Sequence, residues 1–293
     1  MANFFTPASQ KAPEKLSWRV VDSSLIVGAY VSSEQTSQKE ISQKDASNQK
    51  LPSKARVAAF DFDSTLIKTA SGVKFARDAN DWTWWHGSVP GKLKELHASG
   101  YRLVIMSNQN GIKLKPALNG PKIIKADRQA QFKQKAAAVF NSLNLPIRVY
   151  AATEKDKYRK PATGIWEEFL RDEGLGKVDL QESLFIGDAG GRKGDFSCSD
   201  RNFAANVGIR YVTPEEFFLE ERPKPFERDF DPQAYLVDFQ QNTFEATKEQ
   251  EVVLFVGTPG AGKSTFFHKY LEPLGYQRIN QDTLKSVRLC VSA

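Results

Sequence analysis

Residues 57 to 66 read Val-Ala-Ala-Phe-Asp-Phe-Asp-Ser-Thr-Leu, and this stretch decides the fold. Four apolar residues run directly into two aspartates, Asp61 and Asp63. A continuous apolar run of this kind is typical of a strand buried on both faces of a parallel sheet. Ligands of such sheets bind beyond the carboxyl ends of the strands, where both carboxylates would lie. The pair therefore indicates a hard cation held by oxygen atoms, Mg²⁺ above all, although a strand ending in a polar turn fits the same residues.

Three further apolar segments lead to polar residues that suit a phosphate site. The segments 101–106, 146–153 and 183–187 are followed in turn by Ser107 and Asn108, by Lys160 and by Asp188. A serine hydroxyl with neighbouring backbone N–H groups can bind phosphate oxygens, and a lysine can neutralise a carboxylate beside a phosphoryl group. Asp188 can complete an oxygen cage around the cation. Asp195 is a second acidic candidate, for the metal's water shell or for orienting Lys160. Each segment alone also fits an ordinary turn.

The order of these residues resembles a known superfamily. Asp61-x-Asp63-x-Thr65, followed by the serine, the lysine and Asp188, resembles the motif set of the haloacid-dehalogenase-like phosphatases. The words around these motifs resemble, more narrowly, the phosphatase domain of the polynucleotide kinase 3′-phosphatase family over roughly residues 16 to 220. Those words are Ser107-Asn108-Gln109-Asn110-Gly111-Ile112, Tyr158-Arg159-Lys160-Pro161 and Asp195-Phe196-Ser197-Cys198-Ser199-Asp200-Arg201. Ser64 departs from the glycine that many superfamily members have there, and we expect little consequence.

The resemblance implies a fold and a role for each motif residue. The implied fold is α/β, a doubly wound parallel-sheet phosphatase domain. Asp61 is the implied nucleophile, Asp63 the general acid and base, and Lys160 the third catalytic residue of this domain. The implied phosphate-binding residues are Thr65, Ser107 and Asn108. The implied metal ligands are Asp61, Asp63, Asp188 and Asp195.

A second motif lies near the carboxyl end of the chain. Residues 251–256 predict another buried strand, and it leads into Gly257-Thr258-Pro259-Gly260-Ala261-Gly262-Lys263-Ser264-Thr265. A Gly-x₄-Gly-Lys-Ser pattern between a strand and a helix predicts a P-loop, in which backbone N–H groups and the lysine bind phosphates and the serine binds Mg²⁺. The predicted ATP-binding residues are Gly257, Gly260, Gly262, Lys263, Ser264 and Thr265.

The kinase half of the same family continues into a word similar to Asn280-Gln281-Asp282-Thr283-Leu284. This resemblance implies that Asp282 is the base that accepts the proton of a 5′-hydroxyl. Because the sequence stops at Ala293, we expect an incomplete P-loop kinase domain with little or no kinase activity. ATP is then a cofactor only if that domain is functional.

Composition predicts four parts of the chain. Residues 1–50 are expected to be a polar, partly disordered segment, with 16–31 docked on the phosphatase domain. Residues 51–220 are expected to form the 3′-phosphatase domain. Residues 221–249 are the expected linker, and 250–293 the expected truncated P-loop kinase domain. The residues before Arg56 are too few for a forkhead-associated domain, so recruitment through phosphopeptides is not expected.

Charge and cysteine content narrow the class of protein. A formal net charge of +6 and a pI near 9.1 favour an anionic partner. The two cysteines, Cys198 and Cys290, form no disulfide framework, which fits a reducing compartment. No apolar run is long enough to span a membrane. We therefore expect a soluble monomer inside the cell and, by family resemblance, in the nucleus.

Two features bear on the substrate and leave alternatives open. Trp82, Trp84 and Trp85 fit packing against the core or a stacking surface for nucleobases. The lysines of the segment 113–125 fit a loop that guides a phosphodiester backbone or an ordinary solvated surface; they are Lys113, Lys115, Lys122 and Lys125.

The sequence as a whole predicts a Mg²⁺-dependent polynucleotide 3′-phosphatase that removes 3′-phosphates at DNA strand breaks through an aspartyl-phosphate intermediate. Its expected partners are DNA ends and DNA-repair proteins. Two alternatives stay open, a small-molecule phosphatase of the same superfamily and a non-catalytic nucleic-acid-binding relic.

Overall fold

A computed structural model of the protein describes residues 15–32, 54–114, 128–228, 244 and 251–280. The chain divides into two compact units, Met1–Asp229 and Phe230–Ala293. The first unit extends beyond the predicted phosphatase boundary at residue 220. Predictions for residues 1–14 and 33–53, and for most of the linker, lie outside the described residues.

The first unit is built on a seven-stranded sheet with the order β1-β2-β7-β6-β3-β8-β9. The strands are β1 (Leu16–Val21), β2 (Leu25–Tyr30), β3 (Val57–Phe60), β6 (Arg102–Asn108), β7 (Ile147–Ala152), β8 (Leu184–Ile186) and β9 (Arg210–Val212), and a separate two-stranded hairpin consists of β4 (Ile67–Lys68) and β5 (Thr83–Trp84). The last five strands of the order run parallel, and β2 joins them antiparallel through β7. The four apolar residues of β3 therefore lie in the middle of a mostly parallel sheet, as predicted.

Helices cover both faces of this sheet. They are α1 (Val89–Ala98), α2 (Arg128–Leu143), α3 (Gly164–Asp172), α4 (Ser199–Val207) and α5 (Pro214–Phe218). Alternation along β3 sends Ala58 and Phe60 to one core, with Phe132 of α2. It sends Val57 and Ala59 to a second core, with Phe169 and Phe203 of α3 and α4. The prediction of a doubly wound α/β fold is confirmed.

The segment 16–31, which the sequence predicts to dock on this domain, forms the antiparallel strands β1 and β2 at one edge of the sheet. Its apolar residues explain the position, because Leu25, Ile26 and Val27 are completely or almost completely buried. Arg19 adds an ion pair to Glu168 of α3, with 3.0 Å between Nη2 and Oε1.

The tryptophan cluster lies at the β4–β5 hairpin and packs against the core. Trp82, Trp84 and Trp85 are partly buried, and the rings of the first two meet edge to face with centroids 5.6 Å apart. Of the two alternatives, packing is therefore the one that the structure shows for these side chains.

Residues 225–228, called the terminal strap below, lie at the end of the first unit and pack on the loop that follows β8. Phe226 forms a β-bridge with Arg192, and the backbone N–H of Glu227 donates to the carbonyl of Gly191 at 2.8 Å. The guanidinium of Arg201 lies 3.5 Å from the ring centroid of Phe226. Gly191 is required there, because a Cβ atom would come within 2.4 Å of the Glu227 carbonyl oxygen.

In the second unit, the prediction of a buried strand at residues 251–256 is wrong. No strand is present there, and Val252, Leu254 and Val256 are 95%, 83% and 86% exposed. A strand needs a neighbour to complete its hydrogen bonds, and the described part of this unit contains none. After the glycine-rich loop come α6 (Lys263–Phe266) and two short helical turns, Phe267–Leu271 and Glu272–Leu274. Within the described ranges of both units, every helix is too short or too polar to span a bilayer.

Candidate active site

Asp61 and Lys160 form a buried ion pair at the carboxyl end of the parallel strands. Asp61 directly follows β3, and its backbone N–H donates to the carbonyl of Ile186 in β8 at 2.8 Å. Lys160 Nζ lies 2.8 Å from Asp61 Oδ1, and only 2% of the lysine is exposed. The ammonium group also lies 4.8 Å from the ring centroid of Phe185. Asp61 and Lys160 are far apart in the sequence. The fold brings them together because the strands that precede them, β3 and β7, end at the same edge of the sheet.

Asn108 fixes the backbone of this lysine. Its side-chain Nδ2 donates to the Lys160 carbonyl, and its Oδ1 accepts from the Lys160 N–H, both at 3.0 Å. Asn108 was predicted to bind phosphate. In the structure both of its polar atoms are occupied by Lys160, because β6 and the segment after β7 end side by side.

Asp200 is the second partner of the lysine, with Oδ1 2.8 Å from Nζ. Asp200 was not among the predicted site residues. Asp195 was predicted either for the metal's water shell or for orienting Lys160, and in the structure the partners of Lys160 are Asp61 and Asp200 instead. Asp195 instead pairs with Arg192 at 2.9 Å and accepts the backbone N–H groups of Gly190 and Arg192. The sequence signal for Asp200 was its position as an acidic residue in the first turn of α4. Its backbone N–H donates to the carbonyl of Ala189, just after β8, at 3.1 Å.

Three carboxylates converge around this lysine. One oxygen each of Asp61, Asp188 and Asp200 lies within 4.8 Å of the others. Burial raises the pKa of Asp61 to about 6, against the opposing charge of Lys160. Burial, with the charges of Asp61 and Asp200, raises the pKa of Asp188 to about 8. Although burial opposes it, Asp200 and Asp61 raise the pKa of Lys160, so the ammonium stays charged.

Gly187 permits this close arrangement. A Cβ atom at this position would lie 2.2 Å from Asp200 Oδ2 and 2.7 Å from its Cγ. The backbone N–H of Ala189, two residues on, donates to the same Oδ2 at 3.2 Å. Glycine therefore allows the carboxylate of α4 to approach the end of β8, as its position at the strand end suggests.

The Asp63 carboxylate is directed to different partners. Its Oδ1 pairs with Lys135 of α2 at 2.8 Å, and its Oδ2 accepts from Gln109 at 2.7 Å. Asp63 was predicted as a metal ligand. Among the described residues, however, its carboxylate is not one of the three that converge. Lys135 carried no sequence signal, because it lies on a helix with no motif of its own.

The two hydroxyl residues predicted to bind phosphate are both buried. Ser107 is 1% exposed, and its Oγ accepts from Gln109 at 3.1 Å. Thr65 is completely buried, and its Oγ1 has no hydrogen-bond partner among the described residues. A buried hydroxyl without a partner is uncommon and is available to a ligand. Ser64, beside it, has a φ of 60°, the left-handed region that explains why glycine is common at this position.

Two exposed aromatic side chains lie on loops of the first unit. Phe75 is 77% exposed and Phe196 is 86% exposed. Lys74 connects them, with Nζ 5.7 Å from the first ring centroid and 5.5 Å from the second. Phe196 directly follows Asp195 on the loop after β8 that also carries Asp188, whereas Phe75 lies on the loop between β4 and β5.

The glycine-rich loop of the second unit has a turned conformation. Gly260 and Gly262 have φ values of 81° and 82°, which only glycine adopts readily. Lys263 Nζ donates to the carbonyls of Gly257 and Thr258 at 2.7 and 2.8 Å. Ser264 Oγ accepts from Arg278 at 2.9 Å.

Two earlier predictions lie outside the described residues. They concern Asp282, the implied kinase base, and the lysines of the basic loop beyond Lys113, which are Lys115, Lys122 and Lys125.

Comparison with known proteins gives similarities over both units. A family model described as polynucleotide kinase 3 phosphatase matches residues 56–218, and one described as an AAA domain matches residues 252–292. The chain is 46% identical over 249 residues to a bifunctional polynucleotide phosphatase/kinase of Schizosaccharomyces pombe, a match that covers 83% of this chain and 58% of that protein.

Two further relatives match a smaller share of the chain. The polynucleotide 3′-phosphatase ZDP of Arabidopsis thaliana is 34% identical over 184 residues, covering 58% of this chain and 25% of that protein. A polynucleotide 3′-phosphatase of Saccharomyces cerevisiae is 30% identical over 207 residues, covering 55% of this chain and 87% of that protein. The chain therefore spans a little over half the length of its S. pombe relative and most of the length of the S. cerevisiae one.

Proposed function

The chain belongs to the polynucleotide kinase 3′-phosphatase family, as its motifs predict, and from that membership we propose that it removes 3′-phosphates from DNA ends in a Mg²⁺-dependent reaction. One observation carries the proposal: a charged lysine is buried between two carboxylates where parallel strands end, with a third carboxylate beside them. Buried groups with strongly shifted pKa values, gathered in one place, are typical of catalytic sites.

The three converging carboxylates fit a hard divalent cation. Lys160 forms ion pairs with Asp61 and Asp200, and no lysine or arginine of the described ranges forms one with Asp188. When ionised, these three carboxylates, of which Asp61 and Asp200 are buried and Asp188 is partly buried, exceed the charge of the one ammonium group, and oxygen ligands of this kind suit Mg²⁺. Asp61 and Asp188 are the proposed ligands. Bound Mg²⁺ supplies neutralisation of these carboxylates and polarisation of the phosphoryl oxygens.

The proposed reaction has two steps. Asp61 attacks phosphorus with a carboxylate electron pair, and the bond from phosphorus to the 3′-oxygen breaks. Its electron pair stays on that oxygen, which takes a proton from Asp63. In the second step Asp63 accepts a proton from water, whose oxygen attacks phosphorus. The bond to Asp61 then breaks, and inorganic phosphate and the free carboxylate result.

Lys160 and the buried hydroxyls support this reaction through charge and hydrogen bonds. The ammonium offsets repulsion between Asp61 and the incoming phosphate anion and stabilises charge on the phosphoryl oxygens in the transition state. Ser107 and Thr65 bind phosphate oxygens without adding charge. Asn108 contributes by holding the lysine's backbone.

A polynucleotide is favoured over a small metabolite by the exposed aromatic pair. Phe75 and Phe196, with Lys74 between them, offer ring faces to nucleobases and a cation to the backbone. The net charge of +6 acts in the same direction. We extend the proposal to DNA-repair partners and a nuclear location, which suit an enzyme acting on strand breaks.

We also propose that the second unit binds the phosphates of ATP through Gly257, Gly260, Gly262, Lys263, Ser264 and Thr265. The left-handed glycines of this loop and the match to an AAA-domain model support the proposal. Binding of a fluorescent ATP analogue that Lys263→Ala abolishes is the expected result. Equal binding by both proteins would refute it.

The deciding experiment compares substrates. Phosphate release is measured from a 3′-phosphorylated oligonucleotide and from histidinol phosphate, each with and without Mg²⁺. The proposal predicts Mg²⁺-dependent release from the oligonucleotide at a much higher kcat/KM. Preference for the metabolite would support the small-molecule alternative, and binding of the oligonucleotide without any phosphate release would support the non-catalytic one.

A further inference from the structure

We propose that Lys135 is a positioning residue that holds the side chain of Asp63 in place for proton transfer to the leaving 3′-oxygen. The inference rests on the proposed phosphatase function and adds a residue that lies in none of the sequence motifs. It starts from an ion pair between the end of one strand and the first half of α2.

The geometry of this pair is directional. Lys135 Nζ lies 2.8 Å from Asp63 Oδ1, while Gln109 Nε2 lies 2.7 Å from Oδ2. A carboxylate has about four lone-pair positions, so two donors fix its plane and still leave one position free on each oxygen. A proton can therefore pass between Asp63 and a leaving group or water while the orientation is kept.

The lysine is itself held by the core. Its side chain is 12% exposed, whereas that of Asp63 is 48% exposed, so the buried partner supports the accessible one. Lys135 Nζ lies 5.4 Å from the ring centroid of Phe62. Phe132, one turn earlier on α2, packs edge to face on the same ring with centroids 5.9 Å apart. Core packing thus sets the distance between helix and carboxylate, unlike most surface ion pairs, whose flexible partners contribute little.

Orientation matters most when the leaving group needs a proton. A 3′-alkoxide leaves poorly unless it is protonated, and a positioned general acid accelerates such steps by roughly 10²- to 10⁴-fold. A p-nitrophenolate leaves readily as the anion and gains little from an acid. A misdirected Asp63 should therefore slow formation of the aspartyl-phosphate from the first class of substrate and spare that step for the second, whereas hydrolysis of the intermediate, which also uses Asp63, is common to both.

The test compares Lys135→Met with the wild-type protein on three substrates: a long 3′-phosphorylated oligonucleotide, a 3′-phosphorylated dinucleotide and p-nitrophenyl phosphate. The quantity compared is the rate of leaving-group release in a single turnover, which reports the first step alone. We expect this rate to fall about 10- to 100-fold for both nucleotides, part of the full effect of a general acid, and to change less than about threefold for the aryl phosphate. Lys135→Arg keeps a cationic donor and should recover most of the nucleotide activity.

Lys133→Met is the matched control, because this lysine lies on the same helix but faces the ring of Trp18, 5.5 Å from its centroid. It should leave all three rates unchanged. Equal losses on all substrates for Lys135→Met, or no loss, would overturn the inference. So would a change confined to KM for the long oligonucleotide, since that pattern indicates a contact with the nucleic-acid backbone.

Failure of the proposed function gives a different result. If the wild-type protein does not cleave 3′-phosphorylated oligonucleotides, that function is wrong. A simple alkyl phosphate monoester compared with p-nitrophenyl phosphate then still decides whether Lys135 acts through Asp63.

Discussion

Replacing Lys160 with methionine should destabilise the first unit severely as well as abolish phosphatase activity. The lysine is 2% exposed and lies 2.8 Å from two carboxylates that are themselves buried, Asp61 and Asp200. Methionine has a similar length but no charge. The substitution would leave two carboxylates close together in a poorly solvated site, with no ammonium group between them.

The expected magnitude follows from burial. Removing one partner of a buried ion pair costs about 3–5 kcal/mol, because the remaining charge is left unpaired. Neither Lys160 nor Asp200 is more than 2% exposed, so solvent screening does not reduce this value. In a unit of this size each kcal/mol lowers the melting temperature by roughly 2–4 °C. We therefore expect a decrease of about 6 to 20 °C.

Thermal unfolding followed by circular dichroism measures this decrease. Lys157→Met is the control, since that lysine is exposed and pairs with the exposed Asp22, and its melting temperature should change by at most about 2 °C. Adding Asp200→Asn to Lys160→Met removes one carboxylate charge and should recover part of the loss. A Lys160→Met protein that melts within about 2 °C of wild type would refute the argument, because the carboxylates would then not need the ammonium group.

Three other substitutions test the site. Asp61→Asn keeps the side chain's size but removes the attacking charge, so release of 3′-phosphate should fall to background with the fold intact; a folded, active variant would exclude the covalent step. Asp188→Ala should raise the Mg²⁺ concentration needed for half-maximal activity by more than the roughly tenfold typical of outer-shell residues, and an unchanged Mg²⁺ titration would place the metal elsewhere. Gly187→Ala should lower stability by about 1–3 kcal/mol and reduce activity, because its Cβ would lie 2.2 Å from Asp200 Oδ2. Gly176→Ala, where no atom lies within 4 Å of the added Cβ, is its control, and equal behaviour of the two variants would contradict the packing argument.

The sheet and the site residues at its edge were predictable because they depend on local patterns. Apolar runs such as Val57–Phe60 can be recognised without knowledge of their neighbours, and parallel strands place their carboxyl ends together. That rule, together with the resemblance of the motif order to a known superfamily, led us to expect Asp61 and Lys160 in one site, where the structure places them 2.8 Å apart.

The errors concern partners that no local pattern specifies. Asp195 is nearer in sequence to Asp188 than Asp200 is, yet a loop turns it toward Arg192 while α4 directs Asp200 to the lysine. Lys135 contacts Asp63 only because α2 packs on Phe62. Likewise, the apolar pattern of residues 251–256 predicts a strand, but a strand forms only where another strand can pair with it.

The terminal strap has a consequence for where an independently folding fragment can end. The family match ends at residue 218. Phe226 and Glu227 lie after that point in the chain but contact Arg201 and Gly191 within the matched range. In a fragment that ends at residue 220, the loop after Asp188 would lose the strap and become more exposed. A fragment that ends at residue 229 would keep the strap in place. We expect the longer fragment to be the more resistant to proteolysis in that loop, and equal cleavage rates would show that the strap protects nothing. If the longer fragment is the more resistant one, the folded unit ends beyond the residues matched by the family model, at the strap that packs on the loop after β8.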